Sequence, residues 1–204
     1  MITKEESGLK FLFPDQAYPI KYDGSSFYEN YVKRLPEAKG VDFLSVQDGR
    51  LVFTEVKNCM GYESDNSWRI CPDNRKRDTS HTQVHTEGRD SLDIEVSQKV
   101  AMTIAGLAGA YTKAAGSKNA EELVRYTDIL MSGQVRSGRK QLLVILFLEG
   151  NFGCQTRTKK MIMRELEQSM KKKLEWLNCL VSVVDSDTYQ KKIFDVAVCN
   201  KRQY

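Results

Sequence analysis

The residues of this chain best suited to chemistry are two carboxylates and an amine, Asp42, Glu55 and Lys57. They lie in the stretch GVDFLSVQDGRLVFTEVKN, where two β-rich runs flank Asp48-Gly49, the strongest short-range hairpin signal. With the turn placed there, Gln47 faces Arg50, and counting outwards brings Asp42 opposite Glu55. Opposed side chains share a face with Cβ atoms roughly 5 Å apart, and like charges so placed repel unless something neutralises them. A divalent cation is the expected neutraliser. Alternation along the strand puts Lys57 on the face of Glu55 and turns Val56 to the apolar side. Mg²⁺ binds through one or two carboxylates, keeps several waters and lowers their pKa, while an adjacent ammonium orients the attacking water or stabilises a phosphorane. The implied chemistry is hydrolysis of a phosphodiester. Its bland counterpart is an exposed hairpin on which charges simply alternate.

Several elements must hold this trio in place. Phe27, Tyr31 and Leu35 recur at helical spacing between a capping Ser25 or Ser26 and Pro36, which predicts a first helix over 25–35. After the hairpin, 58–90 is polar and without sustained periodicity, and it reads as an insertion or flap beside the site. A helix from Ser91 to about Ala115 follows, with Ala101, Ala105, Ala108 and Gly109 small enough for close packing on a sheet. A further helix starts at Asn119, with Glu122 reaching back in capping-box fashion. QLLVILFLEG, apolar throughout, fits a central strand buried on both faces. Ile162, Leu166, Met170, Leu174 and Leu177 then form a helical stripe, and LVSVVDSD and KIFDVAVC supply two last strands. The whole, 1–204, reads as one α/β domain: a mixed sheet flanked by helices, interrupted by the polar insertion.

A formal net charge of +4 permits nucleic acid as a partner without demanding it. The loops holding Arg75, Lys76 and Arg77 and Arg136, Arg139 and Lys140 would suit a phosphate backbone, whereas Lys171 to Lys173 read as a solvated face with Glu167 paired to Lys171. Five cysteines, Cys59, Cys71, Cys154, Cys179 and Cys199, form no CxxC pair. They point to reduced thiols in a cytoplasmic or similarly reducing compartment rather than to secretion. His81 and His85, with Cys59 and Cys71 nearby, would make at best an irregular zinc set, and solvated histidines on a polar loop are the simpler reading. No apolar run is long enough to span a bilayer, so no membrane partner is expected. Neither a Walker loop nor GxSxG occurs.

Asp42, followed by Glu55-Val56-Lys57 on a hairpin after a helix bearing Glu29, resembles the PD-(D/E)XK nuclease superfamily over roughly residues 25–115. The resemblance implies a restriction-endonuclease-like fold and Mg²⁺ or Mn²⁺ held by Asp42, Glu55 and the Val56 backbone carbonyl, with Lys57 assisting hydrolysis. Glu29 corresponds to the acid that many members place on the first helix. Gln98 and Lys99 stand where some members keep an accessory polar residue that meets substrate. Departures are Val41 before the first acid, the long insertion, and Met102 where one branch carries tyrosine. The expected function is a nuclease, endonuclease rather than exonuclease, acting on DNA, with a homodimer left open. The alternative is a nucleic-acid-binding or assembly protein that kept the fold without catalysis.

Overall fold

In the computed structural model, which describes residues 1–74, 90–113, 116–153 and 156–198, the chain forms three layers. The middle layer is a mixed sheet of order β3-β4-β5-β6-β7, built from β3 (Ile20–Lys21), β4 (Phe43–Gln47), β5 (Arg50–Asn58), β6 (Gln141–Glu149) and β7 (Cys179–Val184). β3, β4 and β5 pair antiparallel, whereas β5, β6 and β7 pair parallel. Helices cover one face. A second, antiparallel sheet of β1 (Ile2–Glu6), β2 (Leu9–Phe13) and β8 (Asp195–Val198) covers the other.

Strand β6 shows why its sequence lacks alternation. Leu142, Val144, Leu146 and Leu148 pack into the helical side, while Leu143, Ile145 and Phe147 enter an aromatic cluster with Phe11, Phe43 and Phe194 beneath the smaller sheet. Both faces are dry, so both periods of the strand are apolar. The hairpin adopts the expected register from Gln47 opposite Arg50 to Phe43 opposite Thr54. Asp48 and Gly49 both take positive φ, 46° and 74°, as a two-residue turn of matching twist requires. The terminal hairpin β1–β2 turns likewise at Ser7-Gly8.

Several helical expectations need correction. α1 spans only Ser26–Asn30, capped by Ser25 Oγ accepting from the Tyr28 N–H at 3.2 Å, and the chain tightens into a 3₁₀ turn at Val32–Arg34. The break falls at Tyr31, whose backbone leaves the helical region. Glu122 does not cap its own segment, which is split into α4 (Lys118–Glu121) and α5 (Val124–Met131); its carboxylate accepts from the Ser26 N–H at 2.6 Å, at the start of α1. α3 (Leu92–Lys113) buries Val96, Val100, Thr103, Gly106, Leu107 and Ala110, so the expected face of Ala101, Ala105, Ala108 and Gly109 is rotated away from the core. Gly106 is needed because the Tyr22 hydroxyl lies 2.1 Å from where a Cβ would stand. α6 (Lys159–Lys173) carries the predicted stripe inward, and Lys171 pairs with Glu167 at 2.5 Å.

The first half of the 58–90 insertion is packed rather than a loop without structure. Through 59–74, which includes α2 (Glu63–Asn66), the chain packs on the body: Cys59 and Ile70 are buried, the Cys59 N–H donates to Glu149 O, and the Leu92 N–H donates to Arg69 O. The Ser91 N–H donates to Asn74 O at 2.9 Å, which sets these two residues side by side. Arg75, Lys76, Arg77, His81 and His85, like Cys154 and Cys199, lie outside the described residues. Cys59, Cys71 and Cys179 are free thiols. Among the described residues no helix is long and apolar enough to cross a membrane.

Candidate metal centre

The site arises where two neighbouring strands part. β4 ends its ladder at Phe43, but β5 continues to Asn58, paired beyond Thr54 only with β6. On its other side the overhang meets Asp42, whose Oδ2 accepts from the Val56 N–H at 2.7 Å. Asp42 is fixed from both flanks: its carbonyl accepts from the Tyr22 N–H at 2.9 Å, and the preceding Val41 N–H donates to Thr103 Oγ1 on α3. Because the N–H and C=O of one strand residue face the same side, the Val56 carbonyl also faces the gap beside Asp42. Glu55 and Lys57 project from β5 toward α3, while Val56 enters the opposite, aromatic core.

There the three expected residues meet partners from α3 and the segment before it. Glu55 is wholly buried, and its Oε1 takes two ammonium groups, Lys99 Nζ at 2.6 Å and Lys57 Nζ at 2.8 Å. Lys57 also reaches Glu95 Oε1 at 2.9 Å, and Arg69 holds the other oxygen of Glu95. Lys99 Nζ stands 3.9 Å from Asp42 Oδ1. The repulsion expected between Asp42 and Glu55 is therefore relieved by a lysine of the chain itself. Relief is partial: Glu55 Oε2 is buried with no hydrogen-bond partner among the described residues. Burial and the charge of Glu55 push the Asp42 carboxyl up to about 7, against the pull of Lys99, the Val56 N–H and Lys57. Burial opposes ionisation of Glu95 too, but the charges of Lys57 and Arg69 overcome it and hold the carboxyl down at about 2. Lys57 is kept protonated by Glu55 and Glu95 despite its own burial.

Of the residues expected at the site, Asp42, Glu55, Lys57 and Lys99 come together. Gln98 is exposed one position away on α3. Glu29 stays out of the cluster: Phe27 and Tyr28 take the inward face of α1, which leaves Glu29 to solvent, where it pairs with Lys33 at 2.7 Å. Arg136, Arg139 and Lys140 fall at the opposite end of the sheet, since Gln141 pairs with Arg50 at the hairpin turn. From Arg50 to Lys57 is roughly 23 Å of strand at about 3.3 Å per residue. Lys140 instead borders a cavity of about 590 Å³ with Arg125 and Asp128. The sequence reading missed Glu95, Arg69 and Asp23. Glu95 and Lys99 carried a signal, an acid and a base one helical turn apart on the helix after the hairpin. Asp23 carried none, yet its Oδ1 is buried without a partner and its carboxyl feels the charges of Lys99 and Glu55.

These donors suit a hard cation. Two carboxylates, one with a bare buried oxygen, and a strand carbonyl beside them are all oxygen ligands of the kind Mg²⁺ and Mn²⁺ take. Among the described residues no three His, Cys, Asp or Glu side chains gather into a metal-holding group. A family model described as a family of unknown function (DUF6661) matches residues 25–198, a span that includes Asp42, Glu55, Lys57, Arg69, Glu95 and Lys99 but not Asp23, and the chain belongs to that family. No curated protein and no solved structure matches it.

Proposed function

We propose that this protein is a metal-dependent nuclease that hydrolyses phosphodiester bonds in DNA, endonucleolytically, on a restriction-endonuclease-like fold of the PD-(D/E)XK kind. The observation that carries this reading is the under-neutralised pair: Glu55, wholly buried with Oε2 unpartnered, beside Asp42, whose carboxyl is pushed up to about 7. Buried charge left so incompletely satisfied is unfavourable, and it gathers at functional sites. Asp42, Glu55 and the Val56 carbonyl would hold Mg²⁺ or Mn²⁺. When bound, the metal supplies Lewis-acid polarisation of a phosphoryl oxygen and lowers the pKa of a coordinated water. Lys57 has three N–H donors, of which Glu55 and Glu95 engage two. The third is free to meet a phosphate oxygen as negative charge grows, and the Glu95–Arg69 pair fixes the ammonium for that task. Substrate would approach where Lys57 and Lys99 remain partly exposed, at 19% and 14%.

The test is incubation of purified protein with supercoiled, linear and single-stranded DNA and with RNA, in Mg²⁺, Mn²⁺ or EDTA. Nicking of supercoiled DNA in either metal and its absence in EDTA is expected. A specific observation favours a second reading: Lys99 already lies between the two acids, as in a structural ion network. Binding of nucleic acid without cleavage in any metal would select that reading, an inactive nucleic-acid-binding or assembly protein.

A further inference from the structure

Resting on the metal-site reading, we propose that Lys99 is a tethered cation: its ammonium closes the Asp42–Glu55 pair in the metal-free protein and must leave when a divalent ion enters. The geometry is specific. Lys99 Nζ lies 2.6 Å from Glu55 Oε1 and 3.9 Å from Asp42 Oδ1, so it stands in the space a shared cation would fill. Both ammonium groups that reach Glu55 sit on its Oε1, and Oε2 is left without a partner among the described residues. A divalent ion brings twice the charge and several open coordination positions, and its approach repels the ammonium.

Lys99 differs from Lys57 in what restrains it. Lys57 is clamped between Glu55 and Glu95, and Glu95 is itself held by Arg69, so losing one contact leaves another. Among the described residues Lys99 has no close carboxylate contact other than Glu55, its approach to Asp42 being long. It rises from the middle of α3 on a flexible four-carbon stem, which lets the head move while the helix stays. Asp23, whose carboxyl is within electrostatic reach of Lys99, has its Oδ1 buried and without a partner among the described residues. The displaced ammonium would turn toward Asp23, or toward a phosphate at the mouth of the site. Metal affinity and metal-free stability would then trade against each other through one side chain.

The experiment compares Mn²⁺ binding by calorimetry, and thermal unfolding in EDTA and in Mn²⁺, for the parent, Lys99→Met and Lys99→Arg. Lys99→Met should bind Mn²⁺ about tenfold tighter or more, a difference of about 1.4 kcal/mol or above. It should also melt lower in EDTA and gain more from Mn²⁺ than the parent does. Lys99→Arg, which keeps the charge, should bind as weakly as the parent. In the parent itself, saturating Mn²⁺ should speed acylation of Lys99 by N-hydroxysuccinimidyl acetate several-fold, read by peptide mass spectrometry, so the idea survives a poorly folding variant. Equal or weaker Mn²⁺ binding by Lys99→Met would overturn the tethered-cation role and leave the metal site standing, as would a Lys99 acylation rate that bound Mn²⁺ leaves unchanged. Absence of Mn²⁺ binding by every protein would overturn the metal site, and this inference with it.

Discussion

Glu55 and Asp93 are both carboxylates wholly removed from solvent, yet the chain treats them in opposite ways. Asp93, in the first turn of α3, has both oxygens satisfied: Ser91 Oγ donates to Oδ1 at 2.5 Å, while Ser169 Oγ at 2.8 Å, Lys173 Nζ at 2.9 Å and the Asp73 N–H at 3.1 Å converge on Oδ2. Glu55 has two ammonium groups crowded onto one oxygen and nothing on the other. The first arrangement ties three segments together and leaves no room for a ligand. The second leaves one oxygen of a buried carboxylate without a partner among the described residues, the feature on which the proposed metal site rests.

The largest expected effect separates the two acids by activity. Glu55→Gln and Asp42→Asn should each lower cleavage on the order of 10³-fold, because each replaces a carboxylate of the proposed metal site by a neutral amide that holds the ion more weakly. Circular dichroism should show both variants folded. Single-turnover cleavage that stayed at the parental rate in Glu55→Gln would break the comparison at its root. Asp93→Ala should do the reverse, losing about 3 kcal/mol of stability by stranding the partners of a buried ion pair, read as a lower urea midpoint. At temperatures where that variant is folded it should still cut. Loss of cleavage without loss of stability would place Asp93 in the site and erase the distinction.

Lys57→Gln sharpens the contrast within the site. Its loss should lower kcat about 10²-fold with little change in KM, since its free N–H acts on charge that develops only in the transition state. Mn²⁺ binding by calorimetry should persist, because Lys57 is not a ligand. A variant that lost metal binding along with rate would show that the Lys57–Glu95–Arg69 chain positions Glu55 rather than substrate.

How much of this was legible in the sequence follows from the range of each interaction. The hairpin could be read because its register is local: Asp48-Gly49 fixes the turn, and the pairs from Gln47–Arg50 to Phe43–Thr54 follow by counting. β6 could be read because burial on both faces leaves an unbroken apolar run. The N-terminal hairpin escaped notice because ITKEE alternates in and out of solvent and is strongly polar, although Ser7-Gly8 is a fair turn signal. The role of Lys99 could not be read, since it depends on the rotation of α3 over the sheet. That rotation is set by distant contacts, Tyr22 against Gly106 and Val41 against Thr103. The polarity of 59–74 misled for a related reason: Arg69 is buried by its partner Glu95, and no local pattern distinguishes it from a solvated arginine.

The smallest expected effect is the pH dependence that Asp93 confers. Burial by itself would raise its pKa, but the hydrogen bonds from Ser91, Lys173, Ser169 and the Asp73 N–H outweigh burial and hold the carboxyl below the ordinary range. The native state therefore releases this proton at lower pH than the unfolded chain does. Between the two values the unfolded state binds more protons, so stability rises with pH there. The contribution is complete above the unfolded value of about 4 and is lost as pH falls through the lower native one. Other carboxylates titrate in the same region, so the quantity to follow is the difference in urea midpoint between the parent and Asp93→Asn, which cannot ionise at that position. That difference should be constant from neutral pH down to about pH 5 and should shrink steadily below about pH 4. A difference that stayed constant through the acid range would mean that Asp93 anchors through neutral hydrogen bonds alone. Its contrast with Glu55 would then rest on geometry and no longer on charge.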